Sequence, residues 1–216
     1  MSEHRLNRVL SKPLTGILLK TPLTPNQVTL ISLSCGLLAG FFFSRGTYLF
    51  SLAGAASYQL AVILDNCDGE IARAKNMRSV FGGWLDVATD FLTDLSLFLG
   101  IGFGMKQAGV PGPVVLFMVL CLSGALIHLA LVVLEKIKGF GPAVFTAPTG
   151  GPTERKNVLL DIFDALREGE ASWFVVFFTV IHQVSVLLWA GGIYMQLLWI
   201  TAFLSNFRRL FQGARV

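Results

Sequence analysis

Charge is scarce in this chain. Only 14% of its 216 residues are Asp, Glu, Lys or Arg, while 54% are apolar. That excludes an ordinary soluble domain, where about a quarter of the residues carry charge, and points to a polytopic membrane protein. Cysteine is scarce too. Cys35, Cys67 and Cys121 have no metal-ligand spacing, which excludes a thiolate zinc centre and argues against a disulfide framework. No internal repeat or low-complexity tract interrupts the chain, so one domain over residues 1–216 is the default. Met1 to Lys20 is basic and amphipathic but has no continuous apolar core and no small-residue cleavage site, so no cleavable signal peptide is expected.

The apolar residues gather into six runs, roughly Gln27–Ser44, Thr47–Leu64, Trp84–Met105, Val114–Leu134, Trp173–Ala190 and Gly192–Phe207. Each is about long enough to cross a bilayer. The formal charge of +4 could suggest a nucleic-acid partner, but the placement of the cations speaks for topology instead. All 17 except Arg45 and Lys106 fall before the first run, between the second and third, between the fourth and fifth, or after the sixth. By the positive-inside rule that face is cytoplasmic, and both termini lie on it. The expected architecture is therefore all-α: six transmembrane helices over 27–207 in the cytoplasmic membrane, with no nucleic-acid partner.

Ahead of the bundle, Leu6, Val9, Leu10, Leu14, Ile17 and Leu18 recur at three- and four-residue steps, with Arg5, Arg8 and Lys12 off that stripe. Residues 1–22 thus read as an amphipathic helix lying on the cytoplasmic leaflet, kinked by Pro13. An ordinary packing helix would share the pattern. Thr24-Pro25-Asn26-Gln27 signals a helix start with a capping box. Gly36, Gly40 and Gly54 allow close helix packing. Phe140 to Thr153 reads as a loop, and Asn157 to Arg167 as a second surface helix.

The chemistry concentrates between Asp65 and Asp90. Asp65 and Asp68 lie three residues apart, and Asp86 and Asp90 four apart, so each pair shares one helix face. If the two helices pack side by side, four carboxylates converge. Such a cluster is costly without cations and suited to hard, oxygen-seeking divalent metals. Acidic groups at membrane depth are functional candidates by default. Asp94 continues the series by one more four-residue step, either as an acceptor behind the site or as a bond to a neighbouring helix. Cys67 reads as a chance small residue rather than a nucleophile, and His128 and His182 read as hydrogen-bonded helix-packing residues.

Asp65, Asp68, Gly69, Ala72, Arg73, Gly82, Asp86 and Asp90 fill every position of the pattern D-x2-D-G-x2-A-R-x8-G-x3-D-x3-D. This resembles the signature of the CDP-alcohol phosphotransferase (CDP-alcohol phosphatidyltransferase) family, and the six-run layout looks like that family's arrangement. The resemblance implies metal-dependent transfer of a substituted phosphate from a CDP-alcohol, such as CDP-diacylglycerol, to an acceptor alcohol with release of CMP, in phospholipid biosynthesis. It implies Mg2+ or Mn2+, two ions, held by Asp65, Asp68, Asp86 and Asp90, with Asp90 as general base. Asp68, Gly69, Ala72, Arg73 and Gly82 would line the nucleotide site, Arg73 forking onto the diphosphate as Lys cannot. Lys136, Lys138, Arg155 and Lys156 would hold an acceptor phosphate or else anchor the topology. The implied partners are the CDP-alcohol donor, the acceptor alcohol, the lipid bilayer and a second copy in a homodimer. Two alternatives stay open. One is the same chemistry on inositol- or other polyol-phosphate substrates. The other is a divalent-cation transporter, which would need polar residues at several depths, whereas the last two runs hold almost no charge.

Overall fold

The computed structural model describes residues 6–138 and 171–212, without the side chains of 135–138, 201–202 and 204–212. Among the described residues every regular element is a helix: α1 (Leu6–Leu18), α2 (Pro25–Phe43), α3 (Tyr48–Ala74), α4 (Val80–Gln107), α5 (Val114–Lys138), α6 (Ala171–Val180) and α7 (Val184–Gln212). Among the described residues, four stretches are long and apolar enough to cross a membrane: α2, α3, α4 and residues Val114–Leu134 of α5. The expected loop over 140–153 and the surface helix over 157–167 lie outside the described residues.

Local chemistry starts the helices where the sequence signals it. Thr24 caps α2: its Oγ1 accepts from the Gln27 amide at 3.4 Å, and Gln27 Oε1 accepts from the Thr24 amide at 2.9 Å, with Pro25 in the first turn. Ser79 caps α4 by accepting from the Gly82 amide at 2.9 Å. At 27 and 28 residues, α3 and α4 are each about 40 Å long at 1.5 Å per residue, roughly 10 Å more than a hydrocarbon core.

Helix α2 packs along both α3 and α4, while α3 and α4 make little backbone contact with each other. The α2–α4 seam is closed backbone to backbone. A Cβ added to Gly100 would lie 2.7 Å from Gly40 Cα, and one on Gly36 would lie within 2.7 Å of the Thr93 methyl carbon. The main core, including Phe43, Leu97, Phe98, Ile101, Cys121 and Leu188, sits among α2, α4, α5 and α7. A smaller core of Val28, Leu64, Cys67 and Ile71, covered by Leu14, Leu18, Leu19 and Leu23, joins α1 to the start of α2 and the end of α3.

One expectation is corrected. The fifth and sixth runs do not divide near Gly191. The chain breaks at residues 181–183, where His182 takes φ 62° and stacks its ring on Tyr48 at 3.7 Å, and α7 runs straight through Gly191 and Gly192. Those glycines serve packing: a Cβ on Gly192 would lie 2.9 Å from the Phe117 ring, and one on Gly191 would meet the Phe98 ring. Helix α1 carries Pro13 within it. It turns its polar stripe Asn7, Ser11 and Thr15 inward, and leaves Leu6, Val9, Leu10 and Ile17 exposed. This is the reverse of a soluble packing helix.

Candidate active site

The C-terminal part of α3 and the N-terminal part of α4 lie at the same end of the bundle. Lys75 at the end of α3 donates from Nζ to the carbonyls of Thr21 (3.1 Å) and Leu23 (2.8 Å), which holds the α1–α2 linker there. At the opposite end Gly104 of α4 abuts Gly46 in the α2–α3 turn. Asp65 and Asp68 on α3 and Asp86 on α4 each place an oxygen so that all three lie within 4.8 Å of one another. Three of the four carboxylates expected to converge do so, but not through side-by-side packing of α3 and α4. The carboxylates reach across the gap between two helices that are both held by α2.

Within the cluster the four aspartates differ. Asp68 is buried, Asp65 and Asp86 are half-buried, and Asp90 is exposed. Asp90 stands outside the close trio, yet its carboxyl lies within hydrogen-bond reach of Asp65. Three hard oxygen donors at this separation fit a divalent cation that prefers carboxylates and water. Asp94, one turn deeper, accepts from Tyr58 Oη of α3 at 3.4 Å, so it bonds across to the neighbouring helix.

The glycines of the motif differ from those of the seam. A Cβ at Gly69 would meet only the Arg73 guanidinium, at 3.4 Å, which is ordinary contact. Protein packing therefore does not require glycine at 69. Arg73 itself is exposed and folds back over Gly69, and Ala72 is half-buried. At Gly82 a Cβ would lie 3.1 Å from Ser79 Oγ and 3.2 Å from Asn26 Oδ1. Gly82 is thus seated against the α4 cap and the first turn of α2. Cys67 is fully buried, with its Sγ donating to the Ser11 carbonyl at 3.6 Å. Lys136 and Lys138 lie in the last turn of α5 with side chains outside the described residues, and Arg155 and Lys156 lie outside them altogether.

Sequence reasoning missed the residues that hold the cluster from behind. Thr29 Oγ1 donates to Asp68 Oδ2, and both are buried. Ser11 and Thr15 of α1 donate to Glu70, at 3.0 and 2.6 Å. Thr29 lies one turn from the α2 cap, but no periodicity links it to Asp68, 39 residues later. The inward polar stripe of α1 was the available signal for Ser11 and Thr15.

Comparison with known proteins agrees with this geometry. The family model described as CDP-alcohol phosphatidyltransferase matches residues 22–205. A bifunctional IPC transferase and DIPP synthase from Rubrobacter xylanophilus is 37% identical over 97 residues, covering 44% of this chain and 22% of that protein. The chain thus spans less than a quarter of the length of this bifunctional relative. A phosphatidylinositol phosphate synthase from Corynebacterium glutamicum is 29% identical over 154 residues, covering 71% of this chain and 67% of the relative. The phosphatidylinositol phosphate synthase of Mycobacterium tuberculosis shares the fold. Its crystal structure with CDP-DAG bound aligns at TM-score 0.57 and 23% identity, over 94% of this chain and 92% of that one. Another crystal structure of it, with manganese and citrate, aligns at the same TM-score and identity over 93% and 87%.

Proposed function

Because the chain belongs to the CDP-alcohol phosphatidyltransferase family, we propose that it transfers a substituted phosphate group from a CDP-alcohol to an acceptor alcohol and releases CMP. The observation that carries this reading is the convergence of Asp65, Asp68 and Asp86 across the α3–α4 gap, with the exposed Asp90 beside them. CDP-diacylglycerol is the proposed donor, supported by the CDP-DAG bound to the mycobacterial neighbour. The phosphatidylinositol phosphate synthase names of two similar proteins support an inositol phosphate acceptor over glycerol phosphate or serine.

Asp65, Asp68 and Asp86 are the proposed ligands of Mg2+ or Mn2+; the manganese in the mycobacterial neighbour supports the latter as at least a substitute. Bound there, a divalent cation would neutralise diphosphate charge and stabilise the leaving oxygen. The chain's own residues do the rest. Arg73 forks onto the diphosphate. The bare backbone at Gly69 and the methyl of Ala72 leave room for the nucleotide, with Gly82 at its rim. Asp90 takes the proton from the acceptor hydroxyl. The hydroxyl oxygen forms a bond to the phosphorus next to the donor alcohol, the bond from that phosphorus to the bridging oxygen breaks, and CMP leaves with the electron pair. Asp90 suits this role because it is the exposed member of the four and lies beside the trio rather than in it.

The proposed setting is a homodimer in the cytoplasmic membrane, with six crossings, both termini cytoplasmic and the apolar face of α1 in the inner leaflet. Arg73, Lys75 and Arg78 lie at the carboxylate end, while Arg45 and Lys106 lie at the other. This supports a cytoplasmic site. In this setting cysteines introduced at Ser2 and Gln212 resist an impermeant thiol reagent in intact cells, while one at Gly109 reacts. The reverse pattern overturns the topology.

The decisive experiment is CMP release by purified protein from labelled CDP-diacylglycerol, with inositol phosphate, glycerol phosphate and serine compared as acceptors. Cation flux in proteoliposomes is measured in parallel. Flux without turnover would replace the transferase reading by a transporter.

A further inference from the structure

Five carboxylates stand between Asp65 and Asp90, and one of them, Glu70, turns away from the cluster. Two residues after Asp68, it projects from roughly the opposite side of α3. Both its oxygens are taken by α1: Oε1 accepts from Ser11 Oγ at 3.0 Å and Oε2 from Thr15 Oγ1 at 2.6 Å. Ser11 also approaches the Arg8 carbonyl, but at 3.3 Å. A single hydroxyl proton favours the shorter contact to a carboxylate. The two donors are buried. Around this contact, Leu14 and Leu18 pack on the small core that holds Cys67 and Ile71, which flank Asp68 along α3. Two further ties fasten α1. Gln59 Nε2 donates to Asn7 Oδ1 at 2.7 Å, and Asn7 Nδ2 donates to Ser172 Oγ at 3.1 Å. The exposed side of the same helix carries Leu6, Val9, Leu10 and Ile17.

We infer that Glu70 is a positioning residue, and that its clasp by Ser11 and Thr15 makes α1 the back wall of the reaction site. The physical reason lies in the gap. Helices α3 and α4 make little backbone contact with each other. The end of α3 is therefore held by α2 on one side, through Thr29 and Asp68, and by α1 on another, through Glu70. Freeing the clasp lets the last turns of α3 shift, and Asp68 and Arg73 shift with them. A helix with its apolar face outward thereby couples its seating on a lipid surface to the aim of the donor-binding residues. The inference rests on the proposed transferase function for its substrate readout, but not for its metal readout.

The test uses the full chain with Ser11→Ala/Thr15→Val, Thr15→Ser, Glu70→Ala and the triple variant. Three quantities are read: Mn2+ affinity by calorimetry with the metal alone, KM and kcat for the CDP-donor, and the thermal midpoint. Couplings carried through packed contacts of this kind correspond to about threefold to thirtyfold changes. Ser11→Ala/Thr15→Val should weaken Mn2+ binding and raise KM within that range, with kcat changed less. Thr15→Ser, which keeps the hydroxyl, should restore both. The triple variant should be no worse than Glu70→Ala, since all remove one contact. A lowered thermal midpoint with wild-type Mn2+ affinity and KM would reduce the clasp to a structural contact and overturn the inference, as would additive losses in the triple variant. If the wild-type chain turns over no CDP-alcohol, the transferase reading fails, and the Mn2+ measurements alone decide the clasp. Should Glu70→Ala fail to fold, the Thr15→Ser and Ser11→Ala/Thr15→Val pair carries the same decision.

Discussion

Helix α4 meets its neighbours in two opposite ways. Toward α2 it is sealed: Thr93, Ser96, Gly100 and Gly104 press on Gly36, Gly40, Phe43 and Gly46 so closely that added Cβ atoms would strike side chain or backbone. Toward α3 it stands off, and what spans the gap is side-chain carboxylate. A sealed seam lets two helices act as one rigid support, since close-packed interiors transmit displacement rather than absorb it. An open one leaves room for a charged substrate between them. The same helix thus carries glycine on one face, where space is removed, and aspartate on the other, where the proposed metal would be held.

The largest break in that contrast is expected at the open face. Asp86→Asn removes one of the three converging carboxylates. It should abolish calorimetric Mn2+ binding and lower turnover by on the order of 10³-fold, the scale of losing a charge-stabilising group at a reacting phosphate. Undiminished turnover by this variant in excess EDTA would remove the metal from the mechanism. Asp90→Asn should lose turnover comparably while keeping more of the Mn2+ binding, because Asp90 lies outside the close trio.

Next comes the edge of the gap. Arg73→Lys keeps the charge but loses the forked geometry, and charged hydrogen bonds contribute roughly 1.5–3 kcal/mol. Affinity for the CDP-donor should fall about tenfold to a hundredfold, with Mn2+ affinity changed less. Wild-type donor affinity would leave Arg73 as a topology anchor.

The paired glycine substitutions sharpen the contrast most directly. Gly100→Ala inserts a methyl where Gly40 Cα would lie 2.7 Å away, and overpacking of that kind destabilises by about 1–3 kcal/mol. The thermal midpoint should drop by several degrees. Gly69→Ala meets only the mobile end of Arg73 at 3.4 Å, so its midpoint should stay put while KM for the CDP-donor rises by less than about tenfold, roughly 1.4 kcal/mol. An equal loss of stability at both positions would mean that Gly69, too, is a packing glycine.

Much of this was legible along the chain because it depends on local geometry. A helix repeats every 3.6 residues, so Asp65 with Asp68 and Asp86 with Asp90 had to share faces. Thr24 and Gln27 are three apart, so their capping box needed no tertiary partner. The six-run reading went astray at Gly191 and Gly192 because glycine serves equally as a turn residue and as a contact for an aromatic ring. Only the Phe98 and Phe117 rings against that stretch of α7 tell the two apart. The stripe on α1 was visible, but not which side of it would face the protein.

The sequence alone determined which carboxylates share a helix face, and it carried the motif that resembles a known family. These are spacings, and helical geometry converts them directly into directions. Tertiary structure alone decided that α3 and α4 stay apart, that Thr29 backs Asp68 and that Glu70 belongs to α1 rather than to the cluster. Those contacts join residues 39 and more positions apart. They depend on how three helices fill space against each other, which no local period encodes.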